Sequence, residues 1–220
     1  MTQRDGRPEP VVLDLPFRGR WRARNSPARR VPSHGTDRFG VTYAIDFFAV
    51  DGRGLPAART WRSVLATEDP RDFAAFGAPI LAPCAGEVVL AHDGEEDHAA
   101  RRSQLALVPY ALGQRSRVAR GAGAVAGNHV VIALGDDGPY VLLAHLRRGS
   151  VGVRIGQPVH VGQPLAECGN SGNSTQPHVH VQVTDSTDWA DARGIPVRFR
   201  LPGDPGSPRV PAEDEVVVGA

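Results

Sequence analysis

The stretch GNSGNSTQPHVHVQV, residues 169–183, constrains the fold of this chain more than any other. A turn rich in Gly, Asn, Ser and Pro runs straight into alternating histidine and valine, the pattern of a β-strand with one buried face. Residues two apart on a strand share a face, so His178, His180 and Gln182 point one way and Val179, Val181 and Val183 the other. The valine face belongs to a core. The histidine face sets two imidazoles together on a rigid support, which suits a metal ligand beside a proton-handling group, because imidazole binds zinc and titrates near neutrality. A solvated strand face that happens to carry two histidines is the plainer alternative.

Other segments are strand-like too. VTYAIDFFAV and APILAPCAGEVVLA are punctuated by Pro and Gly. HVVIAL and YVLLAHL flank GDDGP, a hairpin signal because Asp and Gly accept the backbone angles of a tight turn. VRIGQPVHVGQPLAECG adds two short strands ahead of HVHVQV. The expected fold class is therefore mainly β, a curved antiparallel sheet or β-sandwich with a groove over the site. Residues 1–30 hold eight arginines and four prolines and are read as an N-terminal extension. They either serve as a basic arm for an acidic partner or wrap on the domain, with VVLDLPF as a short edge strand. Residues 31–200 form the main domain, within which 93–126 lack a period of two and are read as an insertion or long loop. The tail 201–220, Pro/Gly-rich and then acidic, is expected to be flexible.

Composition excludes several function classes. A length of 220 residues allows one substantial core. A net charge of +1, with all 25 basic residues arginine, offers no strong field for nucleic acid or an anionic membrane. Cys84 and Cys168 form no CxxC pair and are expected as buried free thiols. The N-terminus lacks the apolar run of a signal peptide, and no apolar stretch reaches roughly 18 residues, so no membrane insertion is expected. The expectation is a cytoplasmic chain, or one of the cell envelope if its start is incomplete or its export follows another route. Helical HExxH is absent, and the candidate acids and histidines lie on strands: Asp46 in YAIDF, His145 at the end of YVLLAHL, His178 and His180 in HVHVQV.

In this order, YAIDF, GAPILAPCAGEVV, GNHVVI, YVLLAHL and VGQPLAECGNSGNSTQPHVHVQV resemble the lysostaphin-type or LytM-type zinc peptidases, which cut peptide cross-bridges of bacterial cell walls. The resemblance spans roughly residues 31–185. It implies the duplicated hybrid motif fold, one zinc ion per chain and hydrolysis of peptide bonds in peptidoglycan cross-bridges or related peptides. In the family pattern an early His, an early Asp and the second His of HxH bind the metal, and two further histidines assist the reaction. Position by position, Asp46 and His180 take metal-ligand places, and His145 and His178 the catalytic ones. The first His departs from the pattern, because the family places it four residues before the Asp, where this chain has Thr42. The nearest upstream histidine is His34 in VPSHGTDRFG, twelve positions ahead of Asp46. It would return to the metal through a loop turned by Gly35 and Gly40, with Asp37 as a rival oxygen ligand.

Tyr43 is read either as a donor to a developing oxyanion or as a packing residue. His129 is expected at the surface or the site rim, and His92, His98 and His160 in turns or loops. Asn128, Asn170 and Asn173 are expected to fix turns, and Trp189 with RGIPVRFRLP to close the sheet edge. The alternative function is a non-catalytic LytM-type binding or regulatory module. A phosphocarrier reading accounts for His145 and His178 but leaves Asp46 and His180 idle, since an acid would repel a phosphoryl group.

Overall fold

The computed structural model of the protein describes residues 8–103, 121–203 and 206–220. Its main element is an antiparallel sheet of eight strands: β2 (Gly19–Arg24), β3 (Ile45–Ala49), β5 (Gly86–His92), β6 (Asn128–Ala133), β7 (Tyr140–Leu146), β8 (Pro158–Val159), β10 (Val179–Thr184) and β12 (Val216–Gly219). They lie in the order β12-β2-β3-β10-β7-β6-β5-β8. Two ribbons complete the molecule, β1 (Val11–Asp14) parallel to β11 (Val197–Arg200), and β4 (Pro79–Leu81) antiparallel to β9 (Pro164–Glu167).

The alternation in HVHVQV does what its period of two dictates. Val179, Val181 and Val183 are at most 1% exposed and join Phe47, Leu143, Ile132 and Val88 on the inner face of the sheet. Leu13 and Phe199 of one ribbon, and Ile80 and Leu165 of the other, close the same core from the opposite side. The mainly β class with its large antiparallel sheet is as expected, and the hairpin across GDDGP is formed by β6 and β7. Cys84 and Cys168 are free and buried. Burial, with Asp14 adding to it, pushes the Cys84 thiol up to about 12. Among the described residues no helix is long and apolar enough to cross a membrane.

Of the two readings of residues 8–30, wrapping on the domain is the one seen: Val11–Asp14 is a short strand, β2 lies inside the large sheet, and Phe17 stacks on Trp21 at 4.6 Å and meets Phe47 edge-on at 5.0 Å. Two expectations need correction. The tail does not stay flexible to its end. Val216–Gly219 pairs with β2 in register Val217↔Trp21, and Val217 is buried, so an apolar VVV run outweighs the acidic residues before it. RGIPVRFRLP does not close the large sheet, whose edges are β12 and β8; its Val197–Arg200 pairs with β1 instead. The insertion expected over 93–126 lies partly outside the described residues. Its first part is tied down by Asn128, whose Oδ1 accepts from the backbone N–H groups of Gly94 and Glu95 at 2.8 Å each. Its last part is a short helix, Ala122–Ala126.

Candidate metal and catalytic site

The outer face of β3, β10 and β7 carries the polar residues. In the ladder His180 lies opposite both Asp46 and Ala144, so these three point to one face, with Leu142 and Gln182 beside them. By the same alternation His145 would point into the core with Leu143. It does not. Opposite β7, His129 pairs with Ala144 and Asn128 with Leu146, which leaves His145 as the extra residue of a β-bulge. Its φ of 64° takes it into the left-handed region and turns the ring to the outer face, while Leu146 returns to the core. A non-glycine residue held there is strained backbone concentrated at a site.

His34 arrives from a loop. Ser33 N–H donates to the Thr42 carbonyl at 3.0 Å and Ser33 Oγ to the Val41 carbonyl at 3.1 Å, closing the segment on itself. Gly35 and Gly40 take φ of 76° and 73°, the turns this closure needs. The loop brings His34 Nε2 within 3.1 Å of Asp46 Oδ2. Asp37 instead accepts from Thr42 Oγ1 at 3.1 Å, away from the cluster. Tyr43 is not among the residues lining the cavity.

Asp46 is the hub. Its Oδ1 lies 2.8 Å from His180 Nδ1 and 3.7 Å from His178 Nε2, and its Oδ2 accepts from Asn25 Nδ2 at 2.7 Å. Burial would raise its carboxyl, but His34, His178 and the His180 hydrogen bond hold it well below the usual range, so it is ionised. His180 is drawn upward against its own burial by Asp46 and Gln182. His180 Nε2 lies 2.9 Å from Gln182 Oε1, and Gln182 Nε2 donates to the Phe39 carbonyl at 2.9 Å, which fixes the amide and leaves Oε1 to accept. The ring is thereby a donor at Nε2, and Nδ1 is the atom turned to Asp46.

The residues present fit a metal. Donor atoms of His34, Asp46 and His180 all lie within 4.8 Å of one another. The one hydrogen of Ser33 Oγ is given to Val41, so Oγ accepts from His34 Nδ1 at 3.0 Å, and a neutral His34 has its lone pair at Nε2. That lone pair confronts an ionised carboxylate oxygen at 3.1 Å, a contact that demands a proton or a cation between the two atoms. Two imidazoles and a carboxylate are a zinc donor set.

The other two histidines are arranged alike. His145 Nδ1 donates to the Ser171 carbonyl at 3.0 Å and His178 Nδ1 to the Gln176 carbonyl at 2.8 Å. Their rings are 4.7 Å apart, and Phe48 stacks on His178 at 4.7 Å. Burial pulls His145 well below the usual histidine value, helped by the neighbouring imidazoles, and pulls His178 down despite Asp46. Both are neutral at pH 7 with the lone pair at Nε2. All five residues line one cavity of about 380 Å³, whose lining also includes the apolar Phe39, Val125, Leu142 and Trp189. His129, expected at the surface or the site rim, is buried, its ring against Trp189 at 5.1 Å and His92 at 5.4 Å, because β6 is an interior strand covered on this face by the 189 loop. Asn25 was not foreseen; it follows β2 at a φ of 50°, and nothing in its local sequence marks it.

Residues 110–192 match the family model described as Peptidase family M23, which bears out the resemblance carried by the motifs. Over that stretch the chain is similar to peptidases of this family. Comparison with curated protein sequences gives no match. Solved structures similar to the chain include the catalytic domain of the prophage-encoded M23 protein EnpA from Enterococcus faecalis, at 18% identity and TM-score 0.39, covering 70% of this chain and 73% of that one. The catalytic domain of the antimicrobial peptidase lysostaphin from Staphylococcus simulans is 20% identical, with TM-score 0.37, over 69% of this chain and 74% of that one. A putative peptidase M23 from Pseudomonas aeruginosa is 19% identical, with TM-score 0.40; the match covers 87% of this chain and 50% of that one.

Proposed function

From the M23-type stretch and the His–Asp–His cluster, we propose that the protein is a zinc-dependent metalloendopeptidase acting on peptide bonds of peptidoglycan cross-bridges or related peptides. The observation that carries the reading is the pairing of two kinds of histidine in one cavity. His34 and His180 converge with Asp46, whereas His145 and His178 each spend Nδ1–H on a backbone carbonyl and keep a free lone pair at Nε2.

His34, Asp46 and His180 would hold the ion, which when bound supplies a Lewis acid for the scissile carbonyl and lowers the pKa of water from about 15.7 toward about 7. The protein's own groups do the rest. A neutral imidazole at His145 or His178 accepts a proton at Nε2 from the attacking water and returns it to the leaving amine. The imidazole that has taken the water proton can donate from Nε2 to the developing oxyanion before it gives that proton to the leaving amine. The carbonyls of Ser171 and Gln176 keep both rings in the tautomer this needs, and no carboxylate base is required.

The test is zinc content after dialysis against a weak chelator, together with cleavage of a glycine-containing peptide. One zinc per chain is expected for wild type and Thr42→Ala, and loss for His34→Ala and Asp46→Ala. His145→Ala and His178→Ala are expected to keep zinc and lose cleavage. A folded wild type that binds no zinc, or binds it and cleaves nothing, would instead point to the non-catalytic module.

A further inference from the structure

A second cavity, of about 290 Å³, adjoins the catalytic one and shares Phe48 and Thr175 with it. Arg22, Arg24, Arg101 and Arg102 line it, and among the described residues no acidic side chain does. Two of these cations are already matched. Arg24 meets Glu213 at 3.2 Å and Asp214 at 3.0 Å, and Arg102 meets Glu68 at 2.5 Å. Arg22 is not matched by a carboxylate. Its Nη2 donates to the Gly54 carbonyl at 2.8 Å, and its Nε is buried without a partner among the described residues. A second buried atom without a partner, Gln176 Oε1, belongs to the same lining. Buried polar groups are normally satisfied, so the Arg22 Nε–H, a donor, calls for an acceptor in this cavity, whereas Gln176 Oε1 is itself an acceptor and calls for a donor such as a peptide N–H.

The cavity is also wired to the reaction. Gln176, which lines it, is the residue whose carbonyl fixes His178 Nδ1 at 2.8 Å, and Phe48, which lines both cavities, stacks on the His178 ring. A group bound beside Arg22 therefore lies one side chain away from a catalytic imidazole. The planar guanidinium fork matches a carboxylate, and a concave site lined by one sign of charge concentrates the opposite sign.

We infer that the Arg22 cavity is a substrate subsite that takes a free carboxylate of the peptide near the bond cleaved. The peptide identity of the ligand rests on the peptidase reading above; the carboxylate preference does not. The carboxylate has two possible sources, an acidic side chain within the peptide and its C-terminal carboxyl group, which bind by the same chemistry.

The experiment is a calorimetric titration of the full chain, held metal-free in chelator so that nothing turns over. The three probes are acetyl-Gly-Gly-Glu-Gly-Gly-amide, its Gln analogue as the amide, and that Gln analogue with a free C-terminus. One of the two carboxylate peptides should bind at least tenfold more tightly than the neutral peptide, with a preference that shrinks as salt rises. Which of them does so identifies the source. Arg22→Met should erase the preference. Arg22→Lys should keep part of it, because the charge remains while the fork is lost. Equal affinity for all three peptides, or a preference that survives in Arg22→Met, overturns the inference. Because the readout is binding without metal, a chain that shows the preference yet never hydrolyses a peptide would overturn the peptidase reading and leave the subsite standing.

Discussion

Asn25 is the most informative residue to change, because two separable effects meet there. Its Nδ2 donates to Asp46 Oδ2 at 2.7 Å, and its backbone sits at a φ of 50°. A hydrogen bond to a charged acceptor contributes about 1.5–3 kcal/mol, and Asn25 is half-buried, so the lower part of that range applies. Alanine in the left-handed region costs about 1–2 kcal/mol that asparagine largely avoids. Asn25→Ala should therefore destabilise the metal-free protein by about 2.5–4 kcal/mol in urea unfolding. Asn25→Gly removes the same hydrogen bond but accepts the backbone angle, so it should lose about 1 kcal/mol less than the alanine variant. Both should weaken zinc binding by about tenfold in a competitive titration, since Asp46 loses the group that aims it. The reasoning fails if both variants stay within about 0.5 kcal/mol of wild type, a change usual for an uninvolved surface site. Equal losses for Ala and Gly would refute the backbone half alone.

Three further outcomes follow from the structure. Gly40→Ala places a Cβ against the Thr184 methyl at a φ of 73°, so the loop bearing His34 must shift; zinc affinity should fall at least tenfold with a stability loss of about 1–2 kcal/mol, and unchanged affinity would show that the loop does not set His34. Deleting residues 216–220 exposes the edge of β2 and removes buried Val217, which should cost about 2–3 kcal/mol in chemical unfolding; an unaltered midpoint would mean that β12 adds nothing to the fold. Burial holds the His129 imidazole below its ordinary value of about 6.5, so below that pH the unfolded chain takes up a proton that the folded chain refuses. Stability should thus fall as pH drops from about 6.5 toward the lowered folded value, and His129→Gln should make that part of the profile measured by urea midpoints shallower, with His145 and His178 supplying the remainder; the same slope in both proteins would refute it.

Much of the fold was legible because it rests on strand alternation. The valines of HVHVQV had to be buried if its histidines were to share a face, and GDDGP admits few turns other than the one joining β6 and β7. What was not legible depended on pairings between distant segments. VVLDLPF, with its prolines and arginines nearby, gives no sign that the strand after it enters the large sheet, and the Val216–Gly219 run reads as a strand only once β2 offers it an unpaired edge. His129 was misplaced for a related reason. Its alternation put it correctly on the face away from the core, but a loop far along the chain, carrying Trp189, covers that face.

The site divides along the same line. Asp46, His178 and His180 follow from strand periodicity, since register places Asp46 opposite His180 and period two sets His178 beside it. His145 defies it. Strict alternation in YVLLAHL sends the ring into the core with Leu143, and only the extra residue of the bulge, in a left-handed conformation, brings it within 4.7 Å of the His178 ring. A regular strand could not supply this geometry, because Leu146 and His145 would then exchange faces, burying an imidazole in the core and exposing a leucine to the cavity. The strain in the bulge is thus bound up with the placement of the His145 ring in the cavity, and it is stabilised by the Ser171 carbonyl on the ring and the apolar seat of Leu146 beneath. His34 depends on distant structure in a similar way. The position that the motif pattern assigns to the first ligand is occupied by Thr42, whose carbonyl instead closes the loop that brings a histidine from outside the strand to the same carboxylate.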